Sequence, residues 1–486
     1  MTDRREAVRS NALYLRQVRP IDPEELTEYV DGEPHPAVIR QLLREEAFDL
    51  GLIEREDGTF VPVEDDPVRP RALPVERFPA NYTRRVEDLL ADRYGPTWYE
   101  GASGDLLRST IRRFKASYLE GRPVEYDDDV AAGYASYHLP GYYAAVQYAL
   151  ADLAERGLVD RRLRVLDVGA GVGGPALGLC DYLPDDALVE YHAVEPSAAA
   201  DVLEELLAET GRNVHATVHR TTVETFEFGA EDEPFDLVLL CNVLSELTDP
   251  EAVLRSCLER LAPDGSLLAM APADKHTSIQ LRELERAVEG ERIDLAHGAS
   301  GAESGEVTLY SPAVRLWPDE TPTDRGWSFD VRPDLEVPPF QRRLEEAATG
   351  EQHTPGEFLN VDVQFSYSIL RVDGTRRIDL EPDHDRWAKM AEMERHVPNR
   401  IDLVAAKFSR SLSEAPNANL LYKITDGSEA VDHYAVVTKE TALNRALLEA
   451  EYGEVLAFEQ ILALWNDDEG AYNLVVDEET IVDRIA

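Results

Sequence analysis

The spacing of apolar residues changes along this chain, and each change predicts a different kind of element. Between residues 22 and 60, Ile39, Leu42, Leu43 and Phe48 recur at helical intervals, and EREDGT then separates two short apolar runs as a turn does. The segment reads as helices followed by a small hairpin: either a winged-helix-like module or a helical cap with a hairpin. DDPVRPRALP (65–74) is too rich in proline for a regular element and reads as a linker. Two helical stretches follow, LLRSTIRRFKASYLEG and YHLPGYYAAVQYALADLAERG. The second turns Val146, Ala149, Leu150 and Leu153 to one side and stops at Gly157.

From residue 164, apolar runs alternate with amphipathic ones. RVLDV, LVEYHAVEP, VHATVH, FDLVLLCNV and GSLLAMAPA read as strands; GGPALGLCDYL, AAADVLEELLAET and EAVLRSCLERL read as helices. Buried strands alternating with helices predict an α/β fold with a mostly parallel, Rossmann-like sheet covered on both faces. After a Gly-, Pro- and charge-rich stretch (287–360), the period becomes two in VDVQFSYSILRVDG, LVAAKFSRSL, LLYKITDG and DHYAVVTK, with a helix at TALNRALLEAEYG and further strands at VLAFEQILALWN and AYNLVV. This predicts a β-rich C-terminal domain, either an OB-like barrel or sandwich of the nucleic-acid-binding kind or a purely structural sheet. The expected domains are 1–64 (helical or winged-helix-like), 65–160 (linker and helical segment), 161–330 (α/β core), 331–400 (connecting region with the first β strands) and 401–486 (β-rich).

Composition changes this picture in one respect. The chain carries 95 acidic against 49 basic side chains, a formal charge of -46 spread along its length, and Lys occurs only at 115, 275, 389, 407, 423 and 439. Self-repulsion at that charge is screened when ionic strength is high, so the composition fits a salt-accumulating, haloarchaeal-like cytoplasm. It also weakens the rule that nucleic-acid binders are basic. Arg108, Arg112 and Lys115, at i, i+4 and i+7, share one helix face and form a candidate phosphate-contacting stripe; the alternative is a solvated face paired with carboxylates. Cys180, Cys241 and Cys257 lack metal-ligand spacing and read as small buried hydrophobes. MTDRREAVRS has no apolar signal segment and no run of eighteen apolar residues occurs, so the expectation is a cytoplasmic protein without a membrane partner.

Candidate chemistry is concentrated in RVLDVGAGVGG (164–174). Asp167 ends a strand, and Gly169, Ala170, Gly171, Gly173 and Gly174 form a loop that lets a ligand approach the backbone at a helix N-terminus. Glu195, in HAVEPS, ends the next strand 22 residues beyond Gly173, the spacing at which a carboxylate receives ribose hydroxyls. An acid directly before the loop suits a cationic sulfonium or amino group better than a pyrophosphate. The LDVGAG string therefore resembles motif I of class I methyltransferases, with S-adenosylmethionine as the implied cofactor, and Asp236 resembles the residue opening their fourth strand.

Taken in order, YHLPGYYAAVQYALADL, VLDVGAGVGG, CNVLSEL and GSLLAMAPA resemble the Rsm22 family of small-ribosomal-subunit assembly factors and predicted ribosomal RNA methylases. The resemblance covers roughly residues 80–330, with AEYGEVL similar to part of the family's C-terminal region. It implies that Asp167, Gly169, Gly171 and Glu195 surround the methionine and ribose parts of the cofactor. Asn242, Val243 and Glu246 would lie nearest the donor methyl, with Asn242 and Glu246 as catalytic candidates and the small ribosomal subunit or its precursor RNA as partner. His138 stands where the family usually has an arginine. Many relatives hold an iron–sulfur cluster with four cysteines; here Ser311 and Ser328 stand where cysteines are expected, so no cluster is expected. CNVLSEL also lacks a proline-aromatic clamp for a target base, and Asn242 serves equally as a local turn cap. Asp274, Lys275 and His276 follow the last strand as either substrate contacts or a polar turn. Two functions remain: an rRNA methyltransferase, or a non-catalytic assembly or translation factor on the same fold.

Overall fold

The computed structural model describes residues 2–226, 233–295, 303–312, 315–317, 327–349, 353–413, 415 and 417–485. The chain divides into two compact units: residues 1–229, 235–239 and 335–361 in the first, and 230–234, 240–334 and 362–486 in the second.

The first unit opens with helices Thr2–Leu15 and Pro36–Glu45 and a hairpin pairing Leu52–Glu54 with Phe60–Pro62. Ile39 and Leu43 enter its core with Val8, Leu26 and Phe60, as the periodicity predicts. Phe48 faces away from that core, among Ile53, Val61 and Leu188, and receives Arg162 and Arg164 over its ring. Asn213 pairs with the backbone of Glu54 through both ends of its amide, so the module is docked on the α/β core. That core has parallel strands β1 (Arg162–Val168), β2 (Leu188–Val194), β3 (Val214–His219) and β4 (Phe235–Cys241), in the order β3-β2-β1-β4. The Asp236 carboxylate accepts the Arg164 backbone N–H at 2.7 Å, tying β4 to β1. Four helices between residues 80 and 154 form one aromatic-rich core with the helix Pro339–Glu346.

In the second unit, β5 (Leu261–Pro272) and β6 (Thr308–Ser311) flank β7 (Val363–Arg371), which runs antiparallel to both. The period-two run at 363–371 thus forms a strand as predicted, with β5 and β6 as its partners. Alternation shows that a strand exists; its partner is fixed only by the fold. Strands β8 (Arg400–Lys407), β9 (Leu420–Thr425), β10 (His433–Val437), β11 (Val455–Asn466) and β12 (Ala471–Val476) pair in the order β8-β9-β10-β12-β11, and β11 pairs back to β8. These five strands thus close on themselves with one parallel pair, β10 and β12, a sixth strand, Ile481–Arg484, pairs antiparallel with β11, and the helix Arg445–Glu449 lies between β10 and β11 in sequence.

Candidate functional site

In the first unit, β1 ends at Val168 and the backbone enters the left-handed region at Gly169, Gly171 and Gly173 (φ 68°, 55° and 92°). Only glycine takes these values freely. A Cβ on Gly174 would lie 2.7 Å from Tyr142 Cβ, and one on Gly178 would lie 2.4 Å from the Tyr143 carbonyl oxygen. The glycines thus allow the helix Gly174–Tyr182 to press against the helix Leu139–Ala154. Gly174 faces Leu139 and Tyr142, while Gly178 faces Tyr143 and Val146, so the two helices run parallel and His138 lies level with the loop.

Asp167 is 0 % exposed. Its Oδ2 accepts the Tyr191 hydroxyl at 2.6 Å, while its Oδ1 is buried without a hydrogen-bond partner. Burial pushes its carboxyl up to about 7, against the opposing pull of the Tyr191 bond and with a further push from Glu195. Glu195 accepts the Gly171 N–H at 2.9 Å with one oxygen and the Ser197 N–H at 2.9 Å with the other. Ala170 is buried, and its carbonyl accepts the Gly173 N–H at 3.0 Å. Asp167, Gly169, Ala170, Gly171, Gly173 and Glu195 thus lie together at the end of β1, whereas Val243, the remaining residue of the expected cofactor-binding set, belongs to the second unit. An orphaned, buried carboxylate oxygen beside an open-backbone loop fits the cationic end of S-adenosylmethionine, and the Glu195 carboxylate retains acceptor capacity for ribose hydroxyls.

Tyr191, Ser197 and the pair His192–His219 were not singled out in the sequence. His192 Nδ1 lies 3.1 Å from His219 Nε2 with the rings nearly parallel, and the His219 carbonyl accepts the Glu195 N–H. Parallel pairing of β1 with β2 was the available signal, since it sets Val165 beside Tyr191 and Asp167 beside Ala193. His138 stacks on Tyr142 at 5.3 Å and also meets Tyr134 and Phe114. Burial, helped by Lys115, lowers its pKa to about 3, so it stays neutral where an arginine would carry charge.

Asn242, Val243 and Glu246 lie in the second unit. Asn242 follows β4 with φ 60°, a left-handed conformation that Asn tolerates, and its N–H donates to the Met270 carbonyl at 2.9 Å. It lines a shallow hollow with Leu244, Ser245, Met270, Gln280 and Leu281. Val243 is half-buried and accepts the Glu246 N–H; the Glu246 side chain is exposed on a 3-10 turn. Asp274 caps the helix Lys275–Val288 by accepting the His276 and Thr277 N–H groups, so this polar turn has a structural role.

The basic stripe is engaged within the fold. Arg108 is 4 % exposed and donates to the carbonyls of Tyr99 and Leu344 and to Asp105. Arg112 makes two 2.7 Å bonds to Glu357, and Lys115 donates to the Tyr137 hydroxyl and the Glu357 carbonyl. Arg108 thus ties its helix to Leu344, and Arg112 and Lys115 tie it to Glu357; two of the three side chains pair with carboxylates, and Arg112 stays partly exposed. Acceptors 236 and 245 residues away are invisible to helical spacing. Arg108→Ala is expected to cost about 2–3 kcal/mol, read by thermal unfolding in molar salt, and to leave the salt dependence of any RNA binding unchanged.

Ser311 and Ser328 are buried, with their hydroxyls 3.3 Å and 3.1 Å from those of Tyr367 and Tyr452. No cysteine follows residue 257, and among the described residues no group of three His, Cys, Asp or Glu is placed to hold a metal. This donor set does not fit a thiolate-held cluster. Cys241 and Cys257 are buried as expected, whereas Cys180 is partly exposed.

Residues 166–267 match a methyltransferase domain model. The core is that of a class I methyltransferase-like α/β protein. Its matched span runs from the end of β1 through the glycine loop and Glu195 into β5. Residues 5–56 and 391–485 match the N-terminal and C-terminal domain models described as Domain of unknown function (DUF8157). The chain is 31% identical over 121 residues to the tRNA N(3)-cytidine methyltransferase METTL2 of Danio rerio, a match covering 24% of this chain and 34% of that protein. It therefore spans about a third of the length of that curated relative. Solved structures similar to this methyltransferase-like chain include the plantazolicin methyltransferase BpumL in complex with SAH, at 14% identity, 42% of this chain, 65% of that one and a TM-score of 0.23. They also include the mitomycin 7-O-methyltransferase MmcR, at 18% identity, 55% and 75% coverage and a TM-score of 0.22. No helix among the described residues is long and apolar enough to cross a membrane.

Proposed function

We propose that this S-adenosylmethionine-dependent methyltransferase-like protein is of the Rsm22 kind and acts on the RNA of the small ribosomal subunit or its precursor, in a cytoplasm of high salt. The observation that carries the cofactor half of this reading is the orphaned Oδ1 of buried Asp167 beside a glycine loop latched by Glu195. Asp167 would hold the cationic end of the cofactor, and Glu195 its ribose. The bound cofactor supplies an electrophilic methyl group, and transfer demands alignment more than acid–base chemistry. Asn242, fixed by its bond to Met270, would orient a polar group of the substrate in this reading. The ordered Rsm22-like strings support a ribosomal RNA target, and the similarity to the tRNA N(3)-cytidine methyltransferase METTL2 supports an RNA base as substrate class.

The second reading is a non-catalytic assembly or translation factor that binds ribosomal RNA on a retained methyltransferase fold. The exposure of Glu246 and the missing clamp in CNVLSEL favour it. Calorimetry of S-adenosylmethionine in molar potassium chloride is expected to show binding that Glu195→Ala weakens by about tenfold or more. Mass mapping of small-subunit RNA from cells with and without the protein then separates the two readings. A lost methyl mark supports the enzyme; copurification with subunit precursors and an unchanged methyl pattern supports the factor. Absence of cofactor binding by well-folded protein overturns the enzyme and leaves the factor on a retained fold.

A further inference from the structure

At one end of the C-terminal barrel, three neighbouring strands place one ring each at the same level. His433 on β10 is in register with Tyr472 on β12, and Tyr472 with Trp465 on β11. His433 stacks on Tyr472 at 4.9 Å, and Tyr472 meets Trp465 edge to face at 4.8 Å. Burial falls along this row: His433 is buried, Tyr472 is half-buried and Trp465 is 42 % exposed. The inner rings close the end of the barrel, while the outermost offers an indole to solvent.

The loop leaving Trp465 carries Asp467, Asp468 and Glu469, all exposed. Asp467 accepts the indole N–H at 3.0 Å, which orients the ring beside the acidic loop. Elsewhere arginines repeatedly neutralise the acids of this chain, as Arg400 does for Asp477. Among the described residues, none of these three loop carboxylates has a cationic partner. Lys423 is buried and paired with Asp432, which flanks the row on its other side.

We propose that this surface binds an arginine-bearing peptide segment of a partner protein. A guanidinium is planar and weakly hydrated; it stacks on an indole face while its N–H groups reach carboxylates in pairs. Single-stranded RNA also stacks on aromatic rings, but its phosphates would meet the three unneutralised carboxylates. High salt screens long-range attraction and leaves these short-range contacts to select the ligand. The site is independent of the cofactor loop, so it stands whether or not the protein transfers a methyl group.

The test uses the full chain in molar potassium chloride and three fluorescently labelled probes: a short arginine-rich peptide, the same peptide with every Arg replaced by Lys, and single-stranded oligouridylate. Anisotropy is expected to show binding of the arginine peptide, several-fold weaker binding of the lysine peptide and none of the oligonucleotide. Trp465→Ala is expected to weaken the arginine peptide about tenfold, as is the combined Asp467→Asn, Asp468→Asn and Glu469→Gln variant, which alters only exposed positions and leaves the barrel core untouched. No binding of the arginine peptide, equal binding of the two peptides, full retention in both variants, or Trp465-dependent binding of the oligonucleotide overturns the proposal.

Discussion

Replacing Asp167 with Asn is expected to weaken S-adenosylmethionine by about a hundredfold and to remove the pH dependence of its binding. The carboxyl is buried, titrates at about 7, and has one oxygen without a partner. A cationic ligand group needs the carboxylate form, so wild-type affinity should fall about tenfold per pH unit below 7 and level off above it. Asn cannot supply the charge and should give a flat profile. Stability should move the other way. Because the folded pKa lies above the ordinary value of 3.8, the folded state holds the proton more tightly, and the contribution of Asp167 to stability declines as pH rises from about 4 to 7. The cofactor-free Asn variant should therefore gain in Tm over wild type across that window and hold a constant margin above it. Calorimetry and thermal unfolding at several pH values check both; parallel binding profiles for the two proteins would remove Asp167 from the cofactor site.

Arg282→Leu is expected to be among the most destabilising single changes in the second unit, at about 3–5 kcal/mol. Arg282 and Glu285 are each 1 % exposed and pair at 2.7 Å. Arg282 also donates to the hydroxyls of Ser368 and Tyr452, and Ser368 donates to Glu285. Tyr452 in turn meets Ser328, one of the serines at an expected cysteine position. Without the guanidinium, Glu285 is left as an uncompensated buried charge. Replacing both members, Arg282→Leu with Glu285→Leu, should recover much of the loss, because two apolar groups need no partners. Thermal unfolding of the wild type, the single variant and the double variant in one buffer tests this; equal destabilisation of single and double variants would show that packing against Phe408 outweighs the ion pair.

Much of the cofactor site was legible because its signals are local. A strand, a glycine turn, a helix and a carboxylate at the end of the next strand follow one another within about thirty residues, and apolar spacing alone separates them. What gives the site its chemistry was not legible. The Tyr191 hydroxyl reaches Asp167 across the β1–β2 pair, and whether an oxygen is orphaned depends on every neighbour in space.

The sequence by itself determined the alternating core, the loop with Asp167 and Glu195, the helices and hairpin near the N-terminus and the strands of the C-terminal domain. Periodicity and glycine chemistry act over a few residues, so the chain carries them before it folds. Only the tertiary structure decided that Val363–Arg371 joins β5 and β6, that β8 closes on β11, and that Arg108, Arg112 and Lys115 meet Leu344 and Glu357. Each of these depends on a partner far away in sequence, and no local pattern encodes which distant carbonyl or carboxylate a side chain will meet once the intervening chain has closed.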